Sequence, residues 1–206
     1  MFYQPVRPPY LLRWYYPAFI WKVPAADKSV YLTFDDGPIP EVTPFVLDTL
    51  KEYNAKATFF CIGKNVEQNG DIYKRILKEG HRTGNHTYNH PNGWNTTAGK
   101  YIANVQQAQQ YIGTDLFRPP YGLIRKAQSK ILMRNFKIIM WDVLSYDFET
   151  ENTPEQCFRN VTRKIRPGSI VVFHDSIKAQ PNMEYALPKT LHYLKEEGYA
   201  CKAIQF

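Results

Sequence analysis

Short apolar runs and amphipathic segments alternate along most of this chain. Seven runs rich in β-branched and aromatic residues have the length and composition of buried strands. They are residues 30–34, 57–62, 81–85, 116–118, 137–141, 169–173 and 199–204. Six further segments place apolar residues at the spacing of one helix face: 42–53, 71–79, 97–112, 126–134, 154–164 and 187–197. This alternation predicts parallel βαβ units, in either an α/β barrel or an open wound sheet.

End signals support the predicted helices. Thr153 is a candidate N-cap, Pro154 stands at the first helical position, and Gln156 stands at the third, where its side chain can complete a capping box. Gly80 and Gly198 stand where helices commonly end in a left-handed residue. The chain shows no fixed-period repeat, and its 206 residues fit one domain that buries about 70% of the unfolded surface.

Residues capable of chemistry follow the ends of five predicted strands. They are Asp35 and Asp36, His86 and His90, Arg118, Asp142 and Asp147, and His174 and Asp175. Parallel strands bring their carboxyl ends to one face, where the active sites of α/β folds lie. The run at 35–38 would also make a good turn without any chemical role. Five converging clusters favour the active-site interpretation.

Asp36, His86 and His90 form a candidate metal site. The two histidines are four residues apart, and a carboxylate beside them leaves one coordination position open, as in catalytic zinc sites. The alternative is a polar loop whose histidines are incidental. His81 and His192 fall within predicted elements and are interpreted as structural.

A metal site of this kind leaves the protein to supply a base and an acid. Asp35 is the natural base, and Arg118 could orient it, unless Arg118 forms only an exposed ion pair. His174 is the candidate acid, and a neighbouring carboxylate such as Asp147 would raise its pKa. The alternative for His174 is a satisfied core histidine. Aromatic side chains that could line the cleft, or equally lie in the core, are Trp94, Tyr121, Trp141 and Phe148.

Charge and cysteine content narrow the range of partners. A net charge of +7 would help to attract polyanions, but the basic residues are thinly spread, which argues against sequence-specific nucleic-acid binding. Cys61, Cys157 and Cys201 lack any CxxC spacing and are interpreted as free thiols.

Residues 1–28 form an aromatic and proline-rich extension, which we expect to pack on a catalytic domain of residues 29–206. The apolar stretch 10–23 is interrupted by Arg13, Pro17 and Lys22, so it predicts no transmembrane helix, and no signal-peptide layout precedes it. It could lie on a membrane surface or close one end of the domain, and we favour the second interpretation.

Four ordered blocks resemble the signature of a known family. They are Thr33-Phe34-Asp35-Asp36-Gly37, His86-Thr87-Tyr88-Asn89-His90, Arg118-Pro119-Pro120-Tyr121 and Val172-Phe173-His174. In order and spacing they are similar to the NodB-homology polysaccharide deacetylases, the fourth carbohydrate esterase family, over about residues 29–206. The resemblance implies a distorted (β/α) barrel, TIM-barrel-like but with fewer than eight complete units. That agrees with the seven parallel strands counted above.

The resemblance also implies a division of roles. Asp36, His86 and His90 would bind one divalent metal ion, with zinc expected and cobalt or manganese as alternatives. Asp35, positioned by Arg118, would deprotonate the attacking water.

Three more residues receive roles from the resemblance. The backbone N–H of Tyr121 would help to hold the developing oxyanion. His174, tuned by Asp147, would protonate the departing amine. The products would be acetate and a free amino sugar.

The chain departs from the family pattern at two places. The usual Asp-Trp pair is replaced here by Asp147-Phe148, which leaves Asp142 as a rival partner for His174. Val172 stands where leucine is usual and would give a smaller wall for the acetyl methyl group. Neither change removes a group that the chemistry requires.

We therefore expect a metal-dependent hydrolase that removes N-acetyl groups from a peptidoglycan- or chitin-like glycan. One alternative is a related carbon–nitrogen hydrolase acting on a small non-sugar amide. Another is a catalytically silent glycan-binding domain, which would not need a base, an acid and three ligands. The resemblance suggests the cell envelope, whereas the lack of an export signal gives the cytoplasm by default. Loops 92–98 and 176–183 carry no pattern that predicts the substrate, and the oligomeric state is not predicted.

Overall fold

The computed structural model describes residues 5–206, which form a curled, mostly parallel sheet surrounded by helices. The strands are β1 Ser29–Asp35, β2 Ala57–Cys61, β3 Arg82–Asn85, β4 Leu116–Phe117, β5 Lys137–Ile138, β6 Val143–Leu144, β7 Ile170–His174 and β8 Ala200–Cys201. Their order is β5-β4-β3-β2-β1-β7-β6, and β8 also pairs with β1. Every pairing between these strands is parallel. The predicted distorted α/β barrel is confirmed.

One helix precedes β1, and the others lie between successive strands, except that β6 follows β5 with no helix between them. They are α1 Tyr10–Tyr15, α2 Thr43–Glu52, α3 Gly63–Gln68, α4 Gly70–Lys78, α5 Ala98–Ile112, α6 Lys126–Leu132, α7 Pro154–Thr162 and α8 Gln180–Glu196. Six correspond to predicted helices, whereas α1 and α3 were not predicted. Helix α8 begins at Gln180 rather than at residue 187, because Pro181 occupies its first turn, where no backbone N–H is needed.

The predicted strand 137–141 is wrong in its extent, and a separate strand, β6, follows it. Hydrogen bonding explains the difference. The N–H of Ile139 still bonds to β4, but that of Met140 bonds to Ile20 and that of Asp142 bonds to Ile170 of β7. The chain therefore crosses from one end of the sheet to the other within this apolar run, a change of partner that hydrophobic periodicity does not encode.

The centre of the sheet is β1, whose seven residues are all buried. Phe34 stacks against Phe59 of β2 and Phe173 of β7, with ring centroids 5.1 and 6.1 Å apart. The sequence of a strand that is covered on both faces is a continuous apolar run, with no alternation of apolar and polar residues. Its carboxyl end is therefore held rigidly in the middle of the barrel mouth.

The N-terminal segment borders both end strands of the sheet. Ile20 bridges in parallel to Ile139 beyond β5, and the N–H of Leu144 in β6 donates to the carbonyl of Val6. Phe19 and Trp21 are buried with the side chains of α5 and α6. The segment thus completes the wall of the barrel between β5 and β6. Among residues 5–206, no helix is both long and apolar enough to cross a bilayer.

Candidate active site

The turn after β1 separates two adjacent carboxylates. Asp36 has a left-handed backbone with φ of 87°, so its side chain leaves the chain in a different direction from that of Asp35. Buried Asp175 holds this turn, accepting hydrogen bonds from the N–H of Gly37 at 3.0 Å and from the hydroxyl of Thr43 at 2.6 Å. A Cβ on Gly37 would lie 1.9 Å from Asp175 Oδ2, so no larger residue fits. Asp175, for which no role was predicted, thus buttresses the turn.

Asp36, His86 and His90 come together at the mouth of the barrel. Their nearest ligand-type atoms all lie within 4.8 Å of one another, with Asp36 Oδ1 3.3 Å from His90 Nε2 and 3.8 Å from His86 Nε2. Asp36 Oδ1 is buried and has no hydrogen-bond partner among the described residues. A buried carboxylate oxygen without a donor is costly unless a cation is bound to it. The three residues therefore fit a divalent metal ion.

The tautomer of His86 supports the same interpretation. Its Nδ1 lies 2.8 Å from the carbonyl oxygen of Arg118, which can only accept, so Nδ1 carries the proton and Nε2 faces Asp36. Burial, together with the neighbouring His90, lowers the pKa of His86 to about 3, so the imidazole is neutral. A neutral imidazole with a free Nε2 is the form that binds metal ions.

Asp35 is gripped by a fully buried arginine. Arg118 Nη1 donates to Asp35 Oδ1 at 2.6 Å and to Thr33 Oγ1 at 2.8 Å. Its remaining nitrogens donate to the carbonyls of Ile139 and Met140 at 3.2 and 3.0 Å. The alternative of an exposed ion pair is wrong, because the Arg118 side chain has no solvent exposure. The guanidinium is fixed in one orientation and so fixes Asp35.

His174 is paired with Asp147 at the end of β7. Its Nδ1 lies 2.8 Å from Asp147 Oδ1, and its backbone N–H donates to Oδ2 at 2.7 Å. Burial alone would lower the pKa of His174, but the charge and hydrogen bond of Asp147, with the charges of Asp36 and Asp35, together raise it to about 9. The hydroxyl of Ser145 and the amide of Asn182 hold Asp147 in turn.

Asp142, the rival carboxylate, has a different set of partners. It is buried and accepts from Arg13 at 2.9 Å, from Arg166 at 2.9 and 3.1 Å, and from the hydroxyl of Ser169 at 2.8 Å. Arg7 lies 3.5 Å away. Asp142 therefore fastens the N-terminal segment to β7 and does not contact His174.

A cavity of about 370 Å³ joins these groups. Its apolar wall includes Tyr121, Trp141, Leu144, Phe148 and Val172, and Lys178 stands at its rim. Trp94 lies outside this cavity, in a separate surface groove. Tyr121 has a left-handed backbone with φ of 58° and its ring meets that of His90 edge-on. Leu144 and Lys178 were not predicted, because neither belongs to a motif.

Comparison with known proteins identifies the family. A model described as polysaccharide deacetylase matches residues 22–135, more than half of the chain. The chain belongs to the polysaccharide deacetylase family. The resemblance found in the sequence blocks, and with it the prediction of a deacetylase hydrolase, is confirmed.

Two deacetylases are similar to this chain over most of their length. A peptidoglycan-N-acetylglucosamine deacetylase from Bacillus cereus is 36% identical over 186 residues, covering 87% of each chain. A chitooligosaccharide deacetylase from Azorhizobium caulinodans is 37% identical over 160 residues, covering 72% of this chain and 74% of its own.

Solved structures of the family superpose closely. The Bc1960 peptidoglycan N-acetylglucosamine deacetylase, bound to 4-naphthalen-1-yl-N-oxidanyl-benzamide, has a TM-score of 0.87 and 33% identity, covering 96% of this chain and 95% of its own. A pseudoenzyme of the same family from Bacillus anthracis has a TM-score of 0.81 and 31% identity, covering 91% and 68%. The polysaccharide deacetylase fold thus occurs in an enzyme and in a pseudoenzyme.

Proposed function

We propose that this polysaccharide deacetylase is a metal-dependent N-deacetylase of an N-acetylated glycan. The observation that carries the proposal is the buried, unpartnered Oδ1 of Asp36, which faces His86 and His90. The same cavity is lined by Asp35, whose carboxylate is held by Arg118, and by His174, whose imidazole is held by Asp147. A metal site, a base and an acid around one cavity are the parts that amide hydrolysis requires.

Asp36, His86 and His90 would hold the metal ion, with zinc expected and cobalt or manganese as alternatives. When bound, the ion supplies Lewis acidity, which polarises the amide carbonyl and acidifies water. Two imidazoles and one carboxylate with a position left open for water match the ligand set of hydrolytic zinc sites.

Asp35 would act as the general base. It would accept the proton of the attacking water at the carboxylate oxygen that Arg118 does not hold. Arg118 keeps the carboxylate oriented toward the cavity throughout. Water oxygen then bonds to the acetyl carbon, and the backbone N–H of Tyr121 would donate to the carbonyl oxygen as it gains charge.

His174 would act as the general acid. Asp147 keeps it protonated, and the proton passes to the amide nitrogen as the carbon–nitrogen bond breaks. The products are acetate and a free amino group on the sugar. Val172 and Leu144 form part of the apolar wall available to the acetyl methyl group.

A peptidoglycan-like substrate is supported by the cavity rim as well as by the relatives. Lys178 is exposed at the rim and, among residues 5–206, lies within 4 Å of no carboxylate. A free cation there would attract the carboxylates of peptidoglycan more than neutral chitin oligomers. A small non-sugar amide is the second candidate, favoured by the apolar cavity wall that includes Trp141 and Phe148.

Acetate release from peptidoglycan, chitin oligomers and small amides tests the proposal, with added zinc, cobalt or manganese. We expect Asp35→Asn to retain the metal and to lose activity by about 100-fold or more, because a positioned base contributes 10²–10⁴-fold. Asp48→Asn is the matched control, since Asp48 is exposed and, among residues 5–206, pairs with Arg75 alone. Near-normal activity of Asp35→Asn would remove Asp35 from the mechanism. Glycan binding without acetate release by the unmodified protein would show a silent binding domain.

A further inference from the structure

Helix α1 exposes apolar side chains to solvent and turns its charged residue toward the protein. The side chains of Tyr10, Leu11 and Trp14 are 80%, 74% and 70% exposed, and Tyr15 is 48% exposed. The only charged residue of the helix, Arg13, points inward to Asp142. Surface helices normally turn their apolar face to the core and their charges to water. A contiguous outward apolar face marks a surface that meets something less polar than water.

Helix α6 borders this apolar face with positive charge. Lys126 Nζ lies 3.8 Å from the ring centroid of Tyr15, so the two helices adjoin. Lys126, Lys130 and Arg134 are exposed and spaced four residues apart, on one side of the helix and its continuation. Residues 123–137 contain five Lys or Arg and no acidic residue. Among residues 5–206, Lys126, Lys130 and Arg134 lie within 4 Å of no carboxylate.

We infer that this α1–α6 face docks on the surface of an anionic lipid bilayer. The face consists of Tyr10, Leu11, Trp14, Tyr15, Lys126, Lys130 and Arg134. Trp and Tyr rings favour the depth of the lipid headgroups, and leucine favours the acyl boundary below them. Lys and Arg side chains that no carboxylate neutralises match the negative surface potential of anionic lipid. The net charge of +7 adds long-range attraction.

The shape of the face favours lipid over a glycan chain. Tyr10, Leu11 and Trp14 are strongly exposed and line neither the active-site cavity nor the neighbouring groove at Trp94, although Tyr15 and Lys126 border that groove. Leu11, one of the most exposed of these side chains, offers no ring for a sugar to stack on. The inference does not depend on the proposed function, because no residue of the face lines the active-site cavity.

Co-sedimentation with vesicles tests the inference. We expect the full chain to bind equimolar phosphatidylcholine–phosphatidylglycerol vesicles, to bind pure phosphatidylcholine far less, and to be released by salt. The triple variant Lys126→Gln, Lys130→Gln, Arg134→Gln should bind on the order of 100-fold more weakly, as three surface cations contribute together. The control triple Lys51→Gln, Lys74→Gln, Lys78→Gln removes the same charge elsewhere and should bind nearly normally.

The apolar half of the face is tested separately. Leu11→Gln with Trp14→Gln should weaken vesicle binding, whereas Leu77→Gln, an exposed leucine on α4, should not. Thermal unfolding checks that each variant is folded. We expect all of them to fold, because the substituted side chains are exposed. No binding of the unmodified protein, or equal losses in face and control triples, would overturn the inference. So would loss of glycan rather than vesicle binding in the Leu11 and Trp14 variant.

Discussion

At the scale of single residues, the pairing of His174 with Asp147 governs a testable pH dependence. The pKa of His174 is raised from its ordinary 6.5 to about 9, so the acid form persists through neutral pH and is lost as pH rises through about 9. The pairing contributes stability that is complete below pH 6.5 and lost between these two values. Activity that needs the acid form should therefore decline at alkaline pH.

Asp147→Asn should lower the pKa of His174 and move the alkaline decline of kcat/KM to lower pH. Removing the charge leaves burial, which disfavours the imidazolium. NMR titration of His174 and the pH–rate profile measure both effects. Asp142→Asn is the control, because Asp142 does not contact His174. An unchanged profile in Asp147→Asn would contradict the role of this pair.

A second prediction at this scale concerns Gly37. In Gly37→Ala the new methyl group would meet Asp175 Oδ2 at 1.9 Å, so the turn carrying Asp36 must shift. We expect weaker metal affinity and a loss of roughly 1–3 kcal/mol in the free energy of unfolding, typical of overpacking. Calorimetric metal titration and urea unfolding measure them. Gly70→Ala is the control, since nothing lies within 4 Å of its added Cβ. Unaltered metal binding in Gly37→Ala would show that the turn is not constrained by Asp175.

The sequence predicted which residues would converge, because strand ends carry them there regardless of loop detail. Asp35 and His174 are the last residues of β1 and β7, and His86 follows β3, so the parallel pairing of these strands brings the three residues close together. It did not predict the supports of the site. Asp175 accepts a hydrogen bond from Gly37, which is far away in the sequence, and Ser145 donates to Asp147 within an irregular turn. Neither contact produces a periodic pattern in the sequence that would predict it.

At the scale of elements, Asp142 lies where the chain crosses to β6, the strand that was not predicted, and it also attaches the N-terminal segment. A carboxylate in an apolar run reads as a break or a functional group, yet here it is a structural anchor buried beside Arg13 and Arg166. The sequence placed it as a rival for His174 because motif spacing does not distinguish the two aspartates. The structure distinguishes them by direction, since Asp142 faces the bordering segment and Asp147 faces the cavity wall at His174.

Asp142→Ala should destabilise the fold by about 2–3 kcal/mol, because hydrogen bonds to charged groups contribute that much and the arginines retain some access to water. Asp115→Ala should cost less than about 1 kcal/mol, since Asp115 pairs with Arg82 and Lys137 at the surface. Urea unfolding compares the two. Equal effects would show that the N-terminal segment contributes no more than an ordinary surface pair.

At the scale of the whole molecule, the candidate metal site connects segments that are far apart in the chain. Asp36 follows β1, and His86 and His90 follow β3, so a bound cation would tie two strand ends together across β2. It would also relieve the buried, unpartnered Asp36 Oδ1. Folding stability and metal binding are therefore expected to be coupled.

Removal of metal with a chelator should lower Tm, and zinc should restore it. Free zinc at 100 times Kd would stabilise the native state by about 2.7 kcal/mol. In a chain of this size that corresponds to a rise in Tm of roughly 5–10 °C. His86→Ala should unfold at the same temperature with and without zinc, because one of three ligands is lost. His192→Ala, which changes a histidine outside the cluster, should keep the full response. If neither chelator nor zinc changes the Tm of the unmodified protein, Asp36, His86 and His90 do not hold a metal ion. That result would also argue against the proposed metal-dependent hydrolysis.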